Sequence, residues 1–287
     1  MNKHRWPQWQ LAAVPSDRVA EQLALEVREF SLVGSASWSG PCDFQQVCER
    51  AGFRISYVPL EAGTGGHEAL LVPRLDGSFD ILVDDDPPPP DSLLAECEGD
   101  TDEQRAQYRI AHEIGHSFFY DRSSAPPRRL IPPSPQEERF CDLFASALLV
   151  PPGVTARISA VQEVLECRKR FEVSTAVASK ALTREHPGTV VIKATTRRQD
   201  KPETIRLFVA WSIPNRFAPG TVLHSRAAAE AFCAGAARDE ETVRIEGVLG
   251  RYLVDAVRMP DVSEILMVMM PTLRLARRRR LQMAFNI

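Results

Sequence analysis

The run RIAHEIGHSFFYD at residues 109–121 constrains the chain more than any other stretch, because it makes sense only as a helix. At about 100° per residue, Ile110, Ala111, Ile114 and Phe118 gather on one side, while His112, Glu113 and His116 fall on the other. Upstream, Thr101 and Gln104 in TDEQ match a capping box, with Asp102 and Glu103 at the positive end of the helix dipole. A helix is therefore expected over about 102–120, anchored by its apolar stripe and turning a polar trio toward something else.

A metal ion suits that trio best. Histidines at i and i+4 can aim adjacent imidazole nitrogens at one ion, and a glutamate directly after the first can hold a water beside it. This is the HExxH arrangement of zinc peptidases. A catalytic zinc site needs a third protein ligand and an open fourth position. The residues after His116, SFFYDR, lack the glycine and third histidine of metzincins, so a carboxylate must serve. In SPQEERFCDLFASALLVPP, residues 134–152, Phe140, Phe144, Ala147 and Leu148 repeat on one face of a second helix, started by Ser134 or Gln136. Glu138 is assigned as the third ligand, with Glu137 as its rival. Asp142, one turn on amid apolar neighbours, is assigned to orient a ligand histidine through its outer ring N–H.

The pairing of AHEIGH with ERFCDLFASALLVP, after a small sheet, resembles the ImmA/IrrE family of zinc metallopeptidases. The second helix of that family typically reads ExxAN, then FA, then a leucine-rich end closed by Met-Pro. Glu138 stands at the family glutamate, Cys141 at the usual alanine, Asp142 at the usual asparagine, Phe144 and Ala145 at FA, and Val150 and Pro151 at Met-Pro. The likeness covers roughly residues 17–185 and is strong over 105–152. It implies intracellular proteolysis, commonly of a helix-turn-helix repressor whose cleavage switches genes on. From the residues themselves, zinc held by His112, His116 and Glu138 would acidify a water, and Glu113 would act as the general base. Manganese is an alternative ion in vitro. Tyr108, Tyr120, His186 and His224 are candidate oxyanion donors, each with a packing or surface role as the blander alternative. His67, in GTGGHEAL, belongs to a glycine-rich loop that is either a cover for the cleft or a plain turn.

The remaining chain reads as α+β. Helices are expected at 17–30 and 43–52, then strands at FRISYVPL, EALLVPRL and SFDILVDD, the last two joined by a turn at Asp76-Gly77. DDDPPPPDS breaks the pattern as a stiff linker. Residues 1–152 then form a zincin-like peptidase domain, and 153–187 a helical connector of two helices meeting at FEVS, similar to a helix-turn-helix. Residues 188–287 form an α/β domain, four runs of strand formers around the alanine-rich helix SRAAAEAFCAGAAR; some family members carry a GAF-like sensor there.

Composition limits the alternatives. A net charge of -3 argues against a generally basic nucleic-acid binder, RRRR at 277–280 being a local exception. Six cysteines without a CxxC pair suit reduced thiols in a cytoplasm, and no run approaches the roughly 18 apolar residues of a membrane helix. The opening MNKHRWPQWQ lacks the apolar core of a signal peptide. The competing function is a DNA-binding or repressor-sequestering regulator with a non-catalytic zinc site.

Overall fold

The computed structural model describes residues 9–31, 40–60, 68–85, 102–154, 160–186, 188–196, 207–214, 217–245, 248–259 and 264–272. The Thr101 cap, His67, most of the proline linker and the 277–280 arginines lie outside the described residues. Among those described, the chain is α+β, with seven α-helices and three sheets, and no helix is long and apolar enough to cross a membrane. It divides into two units, residues 1–90, 100–154 and 167–177 against 91–99, 155–166 and 178–287. The helices α5 (Val161–Phe171) and α6 (Thr175–Glu185) each contribute to both.

In the first unit, α1 (Asp17–Ser31) and α2 (Phe44–Ala51) precede a three-stranded sheet of β1 (Phe53–Val58), β2 (Ala69–Pro73) and β3 (Phe79–Asp84). Asp43 caps α2 by accepting the Gln46 amide, and Gly52, at φ +77, ends it in the left-handed region that glycine tolerates. The strand order is β1-β3-β2, with β1 parallel and β2 antiparallel to β3. Asp76 accepts the Ser78 amide at 3.0 Å and Gly77 takes φ +84, so the Asp-Gly pair turns the β2–β3 hairpin. Phe53, Phe79, Ile81 and Val83 alternate inward to the core. The helix α3 (Asp102–His116) packs on β2 and β3, then a 3-10 turn at Ser117–Phe119 replaces the last turn expected of it. A short hairpin follows, β4 (Tyr120–Asp121) with β5 (Arg128–Arg129), and then α4 (Pro135–Leu149). Ser134 caps α4 by accepting the Glu137 amide at 3.2 Å, with Pro135 opening the first turn.

Gly115 sets how closely α3 and α4 approach. A Cβ there would meet the Cys141 Cα at 3.2 Å and the Phe144 Cδ1 at 3.2 Å. At the C-terminal end of α4, Arg28 of α1 is buried and donates through Nη1 to the carbonyls of Leu148 at 2.7 Å and Leu149 at 3.4 Å, and through Nη2 to that of Gly40.

In the second unit the expected strands around a helix close on themselves. The barrel order is β10-β11-β6-β7-β8-β9, from β6 (Val190–Thr196), β7 (Leu207–Ile213), β8 (Val222–His224), β9 (Ala236–Ile245), β10 (Val248–Arg258) and β11 (Glu264–Pro271). Val190, Ile192, Ala194, Val243, Ile245, Val254, Ala256, Ile265, Met267 and Met269 alternate into its core, where Ala227, Ala228 and Ala231 of α7 (Arg226–Ala234) join them. One of the four runs, TVRIEGVLGRYLVDAVRMP at 242–260, contributes to two strands, since Ile245 of β9 pairs antiparallel with Val248 of β10. The alanine-rich helix stops at Gly235, φ +92, and Ala236 and Ala237 enter β9, where ladder pairing outweighs alanine's helix preference.

Glu241 of β9 anchors α7. Its carboxylate accepts the Ser225 hydroxyl at 2.5 Å, the Arg226 amide at 2.7 Å and the Ala227 amide at 3.3 Å. A negative charge at a helix N-terminus that also satisfies its free amides is doubly favourable. Glu241→Gln is expected to weaken this anchor by about 1–3 kcal/mol, seen as faster hydrogen exchange of the α7 amides. Unchanged exchange would assign the helix's position to its alanine packing alone.

Candidate metal centre

The two long helices α3 and α4 supply every donor of the centre. From α3, the Nε2 atoms of His112 and His116 face each other at 3.2 Å. From α4, Glu138 Oε2 lies 3.1 Å from His112 Nε2, and Glu138 Oε1 lies 3.6 Å from His116 Nε2. Both outer nitrogens are engaged behind. His112 Nδ1 stands 3.3 Å from Asp142 Oδ1, and His116 Nδ1 is 2.6 Å from Glu137 Oε1. Where each Nδ1 carries the proton toward its carboxylate, the two Nε2 lone pairs point at one another, an arrangement that repels unless a proton or a metal cation lies between them.

The spacings test the fit of an ion directly. Nitrogen and oxygen ligands at about 2.0–2.1 Å from a tetrahedral ion stand about 3.3–3.4 Å apart. The separations of 3.1, 3.2 and 3.6 Å bracket that value. A thiol is also near: His112, His116 and Cys141 offer ligand atoms all within 4.8 Å of one another, so this group could hold a metal ion. Cys141 is buried, and burial, then the charges of Glu137, Glu138, Glu113 and Asp142, push its thiol well above its ordinary range. The Glu138 side chain, by contrast, is 56% exposed, and the His112 hydrogen bond holds its carboxyl below the usual range against a smaller opposing effect of burial.

Replacing each third-ligand candidate separates them. Glu138→Ala is expected to lower divalent-metal affinity at least as far as losing an orienting partner does, about 10–100-fold, and Cys141→Ser to leave it near wild type. Competition with a chromophoric chelator reads both; the opposite ranking would transfer the ligand role to Cys141.

The field around the centre favours a cation. Burial alone would lower the His112 imidazole, yet hydrogen bonds to Asp142 and Glu138 and the Glu113 charge outweigh it and take it up to about 9. A metal at Nε2 would therefore displace a proton. Glu113 is 9% exposed; burial raises its carboxyl, the two histidines oppose the rise, and the Leu71 amide of β2 donates to it.

Neighbouring polar groups take supporting places that spacing alone did not reveal. Glu137, the rival ligand, lies behind His116. The Tyr108 hydroxyl donates to Asp142 at 2.6 Å, and the Tyr120 hydroxyl accepts from Arg129 at 3.3 Å. The Tyr108 hydroxyl is thus spent on Asp142, and that of Tyr120 is held by Arg129. His186 and His224 belong to the second unit, His186 with a buried, unpartnered Nε2 and His224 exposed on β8. The sequence did carry one signal for Tyr108, which falls on the ligand face four residues before His112. No protein-family model matches the chain, and a search of curated proteins finds no match.

Proposed function

We propose that the chain is a zinc-dependent metalloendopeptidase with a zincin-like site, in which His112, His116 and Glu138 hold the ion and Glu113 is the general base. The observation that carries this reading is the convergence of two Nε2 atoms and a carboxylate at tetrahedral-ligand spacings, beside a buried glutamate that is not one of the converging groups. A structural zinc site would more often be closed by four protein ligands and needs no base. Zinc bound there would supply Lewis acidity, lowering the pKa of a water and polarising a peptide carbonyl.

The chain's own groups do the rest. Glu113, raised by burial and steadied by the Leu71 amide, takes a proton from the attacking water and returns it to the leaving amine. Asp142 and Glu137 hold the ligand rings with Nε2 forward. The substrate class follows from the ImmA/IrrE resemblance: a helix-turn-helix repressor, cut in the cytoplasm to release its genes. Incubating the purified protein and zinc with repressors encoded beside its gene, and sequencing any fragment ends, tests this. Zinc-dependent production of one discrete cut is expected, and no cut in any of them would refute the repressor substrate. The DNA-binding alternative gains nothing from α6, whose positions 175–185 include no exposed side chain to enter a groove.

A further inference from the structure

Glu137 is the most deeply buried carboxylate beside the centre, its side chain 0% exposed. An ionised carboxylate there needs compensation on every side. It has that from Arg129 of β5, whose Nη2 lies 2.5 Å from Oε1 and 2.5 Å from Oε2, and from His116 Nδ1 at 2.6 Å. Arg129 is itself fixed. Its Nε donates to the Ile131 carbonyl at 3.0 Å, its Nη1 to the Tyr120 hydroxyl at 3.3 Å, and its guanidinium lies over the Tyr120 ring at 5.4 Å. His112 has a different partner, Asp142, whose side chain is 49% exposed and shared with Tyr108. One histidine of the pair is thus backed by a water-accessible carboxylate, the other by a buried ion pair tied to the β4–β5 hairpin.

We propose that Arg129 is a positioning residue of the metal centre, fixing the ring plane and Nδ1–H tautomer of His116 through Glu137 and so tying the centre to the β4–β5 hairpin. Its role toward the ion rests on the metallopeptidase reading; its hold on the ring does not. Without Arg129 the buried Glu137 carboxylate would lose its guanidinium partner and turn, releasing His116 from its single orientation.

Two measurements on the full chain test this. With wild type, Arg129→Met, Arg129→Lys, Glu137→Gln and Arg128→Ala, zinc affinity is read by chelator competition, and the exchange of the His116 Nδ1 proton by NMR of histidine-labelled, chelator-treated protein. Arg129→Met and Glu137→Gln are expected to bind zinc about 10–100-fold more weakly and to expose the ring proton to exchange. Arg129→Lys, which keeps the charge but loses the planar fork, should fall between, and Arg128→Ala should match wild type. Lysine and glutamine variants decide the matter if the methionine variant fails to fold. An unchanged ring proton in the folded variants overturns the proposal, whether or not zinc affinity falls. Wild-type protein that binds no zinc would sink the metallopeptidase reading, while the ring-proton comparison would still decide the hold of Arg129 on His116.

Discussion

Glu113→Gln is expected to leave the protein folded and zinc-loaded while slowing peptide cleavage by about 10² to 10⁴. Glutamine keeps the shape of the side chain and an oxygen to accept the Leu71 amide, so the contact between α3 and β2 survives. None of the converging donors changes. What is lost is the ability to accept a proton, in a pocket where burial raises the carboxyl above its ordinary value. Single-turnover cleavage of the proposed repressor substrate, with zinc content measured on the same sample, checks this. A variant that cleaves at the wild-type rate would remove Glu113 from the chemistry, and one that still induced the target genes without cleaving would favour sequestration.

The second large effect is on stability. Arg28→Met is expected to destabilise the first unit by about 1–3 kcal/mol for each buried carbonyl left without a donor. Burial pulls this guanidinium below its ordinary pKa, and among the described residues no carboxylate pairs with its fork; the Leu148 and Leu149 carbonyls at the end of α4 stabilise it instead. Those carbonyls are the negative end of the helix that carries Glu138, so the cation also complements its dipole. Methionine fills much of the volume but leaves the carbonyls without a donor, and lysine cannot span them with a single ammonium. Chemical denaturation followed on the first unit's helices measures the change. Equal stability would mean that the cost of burying the charge cancels its hydrogen bonds.

The helices of the centre were legible because their signals are local. The i, i+4 histidines, the apolar stripe of α3 and the Ser134 cap of α4 can all be read within a few residues, and so can the turn at Gly77. Glu138 and Asp142 lie one turn apart on the second helix, a spacing that leaves Glu137 as a rival ligand. Arg129 was not legible, because its hairpin pairs only two residues on each side, too few for any periodicity to show. Cys141 was read only as a variant of the family alanine, since its nearness to the histidines depends on how α3 and α4 cross. The barrel escaped notice for a related reason. Alternation marks each strand's inner face, but closure depends on pairings such as β11 with β6, where Ile265 meets Ala194 across the length of the unit. A short strand like β8, residues 222–224, carries almost no alternation.

Gly115 makes the centre a calliper whose jaws are two helices. The proposed ligand triangle is set by the gap between α3 and α4, and that gap is set where no side chain stands. Adding a single methyl at 115 demands a few tenths of an ångström from the Cys141 backbone and the Phe144 ring, and a valine demands more. Overpacking of this kind costs about 1–3 kcal/mol. A series Gly115→Ala and Gly115→Val should therefore widen the jaws stepwise and loosen zinc in the same order, without altering one donor atom. Equal affinity across the series would show that the helices absorb the strain elsewhere. Metal selectivity would follow the same adjustment: an ion with longer bonds gains, relative to zinc, with each step.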